Sequence, residues 1–473
     1  MKIIFRTLVL LVLLNAVLLY MQYSNMEGAA GKDTEASSYH QEIEVTQRKD
    51  ALYIRQHFKD LKDTRYEIIW PENSENEACY IKDNSSCTRM NDSVTAILEG
   101  EAGEQSISYT IPLKVSDSSI LYENLFAKLR NVSVDTTMLH VTDETTSGGV
   151  WISELPLIGT KKLNRIEYTM FYGKGKAELL YWQNNKLPQA YRSDHLSVMG
   201  NGMHEEDTAR LDELLNKVDA PHMTVVVGGD RKPFVKGRIL LTDQLKPDFL
   251  NGQLIQNGVS SRYGIPKNEK LTANLAASIL IGEPYGNSVS QKAYEKIVDK
   301  LTTDQLEELI RELGQATKLN PEILDRLIGD VSGLKTTFLE KAKDEQYGFY
   351  FEEPRELMIN GEKVEGISAL LEDGQVFYPG KKLFAELGYK MESNDKSIYI
   401  TSNLNKFRFS LRDPFYVLNE RKYSLRNEPY KKMNGQYYFE EEALKRIFSL
   451  AIQKSDSAIV INSSVGKEGA TDK

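Results

Sequence analysis

Asp373-Gly-Gln-Val-Phe-Tyr-Pro-Gly-Lys-Lys-Leu-Phe-Ala-Glu-Leu-Gly388 returns in outline as Asn434-Gly-Gln-Tyr-Tyr-Phe-Glu-Glu-Glu-Ala-Leu-Lys-Arg-Ile-Phe-Ser449, at an offset of 61. At the same offset Leu383 matches Leu444, Asp395 matches Asp456, Ile398 matches Ile459 and Ile400 matches Ile461. Upstream, Ile359-Asn-Gly361 echoes Leu418-Asn-Glu420 at an offset of 59. So many registered matches identify two copies of one unit within residues 359–461. In each copy an Asp-Gly or Asn-Gly turn launches a short aromatic strand. A helix follows, carrying Leu383 and Leu387 up to Gly388 in the first copy and Leu444 and Phe448 in the second. An Asp turn then leads to an alternating strand, Ser397–Ile400 and Ala458–Ile461. Two strand–helix–strand units should pack as one α/β sandwich.

The order Ile359-Asn-Gly361, Asp373-Gly-Gln-Val-Phe-Tyr-Pro379, Leu383-Phe-Ala-Glu-Leu-Gly-Tyr389 and Asn394-Asp-Lys-Ser-Ile-Tyr-Ile400 resembles the bacterial copper-amine-oxidase-like N-terminal domain, or stalk domain. The resemblance covers 355–462, less than a quarter of the chain. It implies an exported protein of the Gram-positive envelope. The second copy departs from the pattern, with Glu440-Glu-Glu442 where the first has Pro379-Gly-Lys381, and Asp413 stands where a glycine is usual. In amine oxidases this domain holds no metal and no cofactor, so none is expected here. Their quinone arises from the tyrosine of an Asn-Tyr motif. This chain has no Asn-Tyr dipeptide and no His-x-His pair among its six histidines, which excludes amine oxidase activity.

N-terminal to the repeat, residues 288–350 read as a helical segment. Ser288-Val-Ser-Gln291 and Thr302-Thr-Asp-Gln305 are capping boxes ahead of apolar residues at helical spacing. Asn320 before Pro321 opens a third helix. Residues 46–287 read as a β-rich α+β domain. Strands are expected at Tyr66–Trp70, Ser106–Ile111, Val150–Ile152, Ile166–Phe171, Ala177–Trp182, Met223–Val227 and Phe234–Thr242. Tyr172-Gly-Lys-Gly175 and Gly228–Pro233 read as hairpin connections. Glu205–Val218 has a helical stripe, Tyr122–Leu129 a weaker one, and Ala273–Ile281 is an apolar buried helix. Residues 24–45 read as a flexible spacer and 463–473 as a disordered tail.

Residues 1–23 form a delivery segment. Lys2 and Arg6 precede 14 almost wholly apolar residues, 8–21. A signal-peptide apolar region takes roughly 7–15 residues, and a spanning helix takes ~20. Extended back to Ile3, with Tyr20 and Tyr23 at the interface, the run also fits an anchor. Cleaved signal and uncleaved anchor both stay open. Either one exports the remainder of the chain, with the membrane contacted through residues 3–21. An oxidising compartment permits a disulfide between the only cysteines, Cys79 and Cys87, across the turn Asp83-Asn-Ser-Ser86.

The formal charge of −9 comes without a Lys/Arg cluster along the sequence, which argues against nucleic acid as a partner. The densest polar constellation is Asp194-His195 with His204-Glu-Glu-Asp207. His195, His204, Glu205 and Asp207 are the candidate metal ligands. The same carboxylates also suit a helix start, where the macrodipole favours them. No nucleophile elbow or phosphate loop is present. The sequence therefore points to an exported envelope protein acting as a non-catalytic binding or structural module toward wall polymer or a protein partner. The alternative is an extracytoplasmic hydrolase of wall polymer or polysaccharide with its site in 46–285.

Overall fold

Tyr39, Gln41, Ile43, Val45 and Gln47 alternate with partly exposed neighbours, so Ser38–Gln47 buries one face as a strand. The computed structural model describes residues 38–113, 118–145, 148–243, 245–342 and 347–463. The delivery segment 1–23 lies outside the described residues, as does all but the first residue of the tail. Among the described residues, no helix is long and apolar enough to cross a membrane. The chain divides into two compact units. One comprises residues up to Gly202 with Pro221–Asp243, and the other Met203–Ala220 with Gln244 onward.

In the first unit Ser38–Gln47 is the middle strand of a seven-stranded sheet. It pairs antiparallel with Ala51–Lys59 and parallel with Ser133–Asp143. Residues 38–45 of the expected spacer are thus strand, because they carry the alternation of a half-buried strand, and 24–37 lie outside the described residues. Ile43, Ile54, Phe58, Ile107, Leu139 and Val141 form the core on one face. A polar row crosses four adjacent strands within that core. Gln41 donates to Thr137 at 2.8 Å, Gln56 donates to Gln41 at 3.1 Å, and Tyr109 donates to Gln56 at 3.3 Å. Gln56 also brackets the backbone of Ala127, so these buried amides are paired rather than costly.

Cys79 and Cys87 are bridged, with Cα atoms 5.9 Å apart. Asp83 organises the loop between them by accepting from the backbone N–H groups of Ser85 and Ser86. Hydrogen bonds, first from the Ser85 hydroxyl, hold its carboxyl down at about 2. Nearby, the buried Arg89 guanidinium is satisfied by backbone carbonyls of Lys62, Thr64, Leu98 and Ala102, which ties separate loops together.

Three local expectations fail in this unit. Residues 122–129 are not helical but end one strand, Ser119–Glu123, and form a second, Lys128–Leu129. Gly175 is no hairpin turn: Glu167–Lys174 joins the seven-stranded sheet, whereas Leu179–Gln183 joins a separate three-stranded one. Residues 228–233 are a crossover, because Met223–Val227 pairs in parallel with Ile239–Thr242. The true hairpin lies one strand later, turning at Gly237 between Phe234–Lys236 and Ile239–Thr242. There φ is +49°, and a Cβ would sit 2.2 Å from the buried Glu154 carboxylate. That carboxylate accepts from the backbone N–H groups of Glu178, Leu179 and Arg238, so it nails the turn to the next sheet.

The second unit begins with helix Glu205–Lys217 and continues through helices from Pro247 to Lys341. The helical segment therefore starts some forty residues before the expected 288. Helix Pro247–Tyr263 buries the stripe Leu250, Leu254, Ile255, Val259 and Tyr263, and helix Lys270–Ile281, expected from Ala273, is buried on nearly all sides. Thr302 and Gln305 form the expected capping box, and Asn320 caps the helix that Pro321 opens. The cap at the preceding helix is Asn287 rather than Ser288. Asp325 is buried in this segment. One carboxylate oxygen accepts from the N–H groups of Leu339 and Glu340, and the other has no partner. Burial outweighs those two bonds and pushes its carboxyl up to about 7.

The repeat gives two hairpins joined back to back. Leu370–Glu372 turns at Asp373-Gly374 into Gln375–Pro379, and Tyr430–Met433 turns at Asn434-Gly435 into Gln436–Glu440. All four turn residues have φ between +49° and +78°, the left-handed pair that a two-residue hairpin needs. The second strands pair with each other, Tyr378 opposite Phe439. Each is followed by a short helix, Gly380–Glu386 and Glu441–Phe448.

Gly380 and Glu441 are equivalent in the repeat but fill their places differently. A Cβ on Gly380 would lie 2.8 Å from the Phe439 ring. Glu441 instead accepts from the buried Tyr378 hydroxyl at 2.9 Å, with Lys454 at 2.7 Å and Lys445 at 3.0 Å. Burial opposes its ionisation, yet these three hydrogen bonds together hold its carboxyl below the ordinary value. This is the physical meaning of the departure at Glu440–Glu442.

Each helix leads into a strand pair, Lys390–Ser393 with Ser397–Thr401 and Leu450–Lys454 with Ala458–Ser463. The second pair is completed in parallel by Glu356–Ile359 from the first copy. In the first, Lys406–Ser410 intervenes before the equivalent strand Phe415–Leu418, giving a five-stranded meander that ends in Arg421–Ser424. Phe384, Phe407, Phe409, Phe439 and Phe448 fill the centre, with Phe384 and Phe407 each 4.6 Å from Phe448 by ring centroid. The expected α/β sandwich is thus a β-rich α+β domain, because each helix has only two turns and the meander adds strands between the copies. The multidomain α+β class stands.

Glu420 has φ +72° where the first copy has Gly361 at +88°. Glu420→Gly should stabilise the protein by about 1 kcal/mol, since a side chain is disfavoured in this region, and Gly361→Glu should destabilise it comparably; urea unfolding reads both. Asp325 is ordinarily ionised above 3.8 when unfolded but only above about 7 when folded. Its cost to stability therefore grows as pH rises through that window and is absent below it. Asp325→Asn should raise the melting temperature at pH 8 and leave it unchanged at pH 3.5.

Candidate functional site

The metal candidates of the sequence are divided between the two units. His195 lies in the turn between strands Gln189–Arg192 and Leu196–Met199 of the first unit, where its carbonyl accepts from the Met223 N–H. His204 is the residue before helix Glu205–Lys217 of the second unit, and Glu205, Glu206 and Asp207 form its first turn. Carboxylates there answer the helix dipole. Among the described residues, no group of three or more His, Cys, Asp or Glu side chains is placed to share an ion.

The other histidines are held by polar neighbours that the sequence did not reveal. His222 is fixed between the Asp194 carbonyl and the Ser197 hydroxyl, each at 3.0 Å, and burial pushes its imidazole down to about 4. His57 bonds Ser106 at 2.8 Å and is lowered first by burial and then by Lys82. His57 and His140 share the face of the seven-stranded sheet opposite Ile43 and Ile54 with Glu44 and Glu42, 3.7 Å and 3.4 Å away.

Two cavities bear on chemistry. One in the first unit, beneath Trp151 and Phe171, has a volume of about 10 Å³ and no carboxylate in its lining. That is room for about one water. The other, in the second unit, has about 40 Å³ and is lined by Glu352, Lys341, Tyr347, Tyr350, Asn434 and Tyr438 among others. Glu352 is already engaged there by Thr337 and by Lys341 at 3.3 Å. Such a space suits a few bridging waters rather than a substrate.

The outer face of the C-terminal meander differs from both. Ile398, Ile400, Phe407 and Phe409 point to the core, so strand alternation sends Tyr399, Lys406 and Arg408 outward. Register then builds a transverse row: Glu392 opposite Tyr399, Tyr399 opposite Arg408, Arg408 opposite Val417, and Val417 opposite Lys422. The Lys422 ammonium sits 4.0 Å over the Phe415 ring. Lys406, Arg408 and Lys422 are exposed and make no ion pair among the described residues, whereas Lys390 pairs with Glu392 at 2.5 Å. The basic residues come from separate strands, which is why no cluster shows along the sequence. The only signal was the alternation Lys-Phe-Arg-Phe-Ser at 406–410.

Residues 358–462 match the family model described as the copper amine oxidase N-terminal domain. No curated protein matches the chain. Among solved structures, an M1 zinc metallopeptidase from Deinococcus radiodurans aligns over 63% of this chain and 90% of its own, at 9% identity and a TM-score of 0.42. A two-domain M1 zinc metallopeptidase mutant bound to L-tryptophan aligns over 63% and 92%, at 9% identity and a TM-score of 0.44. These are loose likenesses in the course of the chain. The disulfide and the family match both point to an extracytoplasmic setting. By its paired hairpins, its repeat and its family match, the stretch 358–462 is a copper amine oxidase N-terminal domain.

Proposed function

We propose that the chain is an exported cell-envelope protein of a Gram-positive bacterium, tethered to the membrane through residues 3–21, whose C-terminal domain is a non-catalytic binding module. The observation that carries this reading is the open face of the meander, where polar and aromatic side chains are displayed without a cleft. Binding modules of extended ligands use such open surfaces, whereas catalysis needs groups converging on a water-poor pocket. The Cys79–Cys87 bridge supports an oxidising location. The apolar run and two interfacial tyrosines support the tether.

Two measurements test the reading in cells and in vitro. After fractionation the chain should stay with membranes through a high-salt wash, and release by salt would remove the tether. The purified chain should co-sediment with isolated cell walls, and its failure to do so would remove the wall-binding role.

A further inference from the structure

We propose that the meander face bearing Lys406, Arg408 and Lys422 binds a linear anionic glycopolymer, a chain in which phosphate or carboxylate groups alternate with sugar or polyol units. The inference rests on the binding role proposed above and names its ligand. Three features of the face select this chemistry. The first is charge. Three exposed cations without ion-pair partners among the described residues converge from strands Lys406–Ser410 and Arg421–Ser424, while the carboxylate on this row, Glu392, is engaged by Lys390. A polyanion gains their unshared charge, and the arginine fork can take phosphate or carboxylate in two hydrogen bonds.

The second feature is spacing. Lys406 and Arg408 are two residues apart on one strand, about 7 Å, and Arg408 lies two strands from Lys422, about 10 Å. A chain with a neutral unit between its anions sets successive charges at about this interval, so neighbouring anions meet neighbouring cations. The third is what lies between the cations. Tyr399 and Val417 flank Arg408 in the row, and Phe415 lies beside Lys422. These half-buried apolar surfaces suit the ring or chain carbons of a neutral unit. The meander also ends in the open strand Arg421–Ser424, all four residues of which are exposed, so a long polymer can run off the face without obstruction.

The test uses the full chain in mild detergent with four probes: poly(glycerol phosphate), hyaluronan, neutral dextran and single-stranded DNA. Binding to poly(glycerol phosphate) or hyaluronan, weakening as salt rises, is expected, and the two arms separate phosphate from carboxylate recognition. The variant K406Q/R408Q/K422Q should lose at least tenfold in affinity with unchanged circular dichroism. The charge-matched control K267Q/K270Q/K318Q, altered at exposed lysines of the helical segment, should keep its affinity. Equal losses in both variants, equal binding of dextran, tighter binding of DNA than of either glycopolymer, or no binding to either anionic polymer would each overturn the proposal. Wall co-sedimentation that survives in K406Q/R408Q/K422Q would overturn it while leaving the envelope-binding role in place.

Discussion

The C-terminal domain depends on one strand pair, Gln375–Pro379 against Gln436–Glu440, which sets Tyr378 opposite Phe439. The two residues are counterparts in the repeat, so the contact is a near-symmetric joint on which both copies hang. Its two halves are closed differently. On one side Gly380 lets the Phe439 ring press onto bare backbone, and on the other Glu441 takes the Tyr378 hydroxyl. A side chain on Gly380 would collide with a fully buried ring, while loss of the Glu441 carboxylate would strand a buried hydroxyl. Each copy has thus specialised one residue of an equivalent pair to its neighbour.

The copies are also interlocked. Glu356–Ile359 opens the first copy in sequence but completes the sheet of the second by pairing in parallel with Ala458–Ser463. The domain's first strand therefore has only the short hairpin partner Glu362–Lys363 until its last strand arrives. This accounts for the shared core, in which Phe384 of one helix meets Phe448 of the other.

The parts legible in the sequence were those written in local chemistry. The Asp-Gly and Asn-Gly turns, the Thr302 capping box and the Asn320-Pro321 helix start are fixed by neighbours within a few residues, and the repeat located the domain to within a few positions. Long-range pairing was not legible. Gly175 looked like a hairpin turn because strands flank it, but those strands do not pair with each other: Glu167–Lys174 lies between Leu157–Lys162 and Ser133–Asp143, and Leu179–Gln183 between Val150–Ser153 and Ser119–Glu123. Helix Lys270–Ile281 was legible as an apolar run from Ala273, whereas Pro247–Tyr263 hid because few of its residues are apolar, although Leu250, Leu254, Ile255, Val259 and Tyr263 form a buried stripe. The candidate face was invisible for the same reason as Gly175's pairing. Arg408 and Lys422 become neighbours only through the register of strands between them. His195 and His204, by contrast, looked associated through proximity in sequence, and one ends in a strand turn while the other precedes a helix.

The placement of Ser38–Gln47 at the middle of its sheet bears on how the chain can be made. Its antiparallel partner, Ala51–Lys59, follows at once, so that hairpin forms early. Its parallel partner, Ser133–Asp143, lies about ninety-five residues further on. During synthesis the central strand must wait with one edge bare while the intervening loops are laid down, and a bare edge is a template for pairing with another molecule. The amides of Gln41 and Gln56 lie on the face that is open in that interval. Until Thr137 and Tyr109 arrive they are hydrated, which makes the nascent hairpin less sticky than an all-apolar one. The polar row thus serves the newborn chain as well as the finished sheet, because its members become dry only when every partner is present.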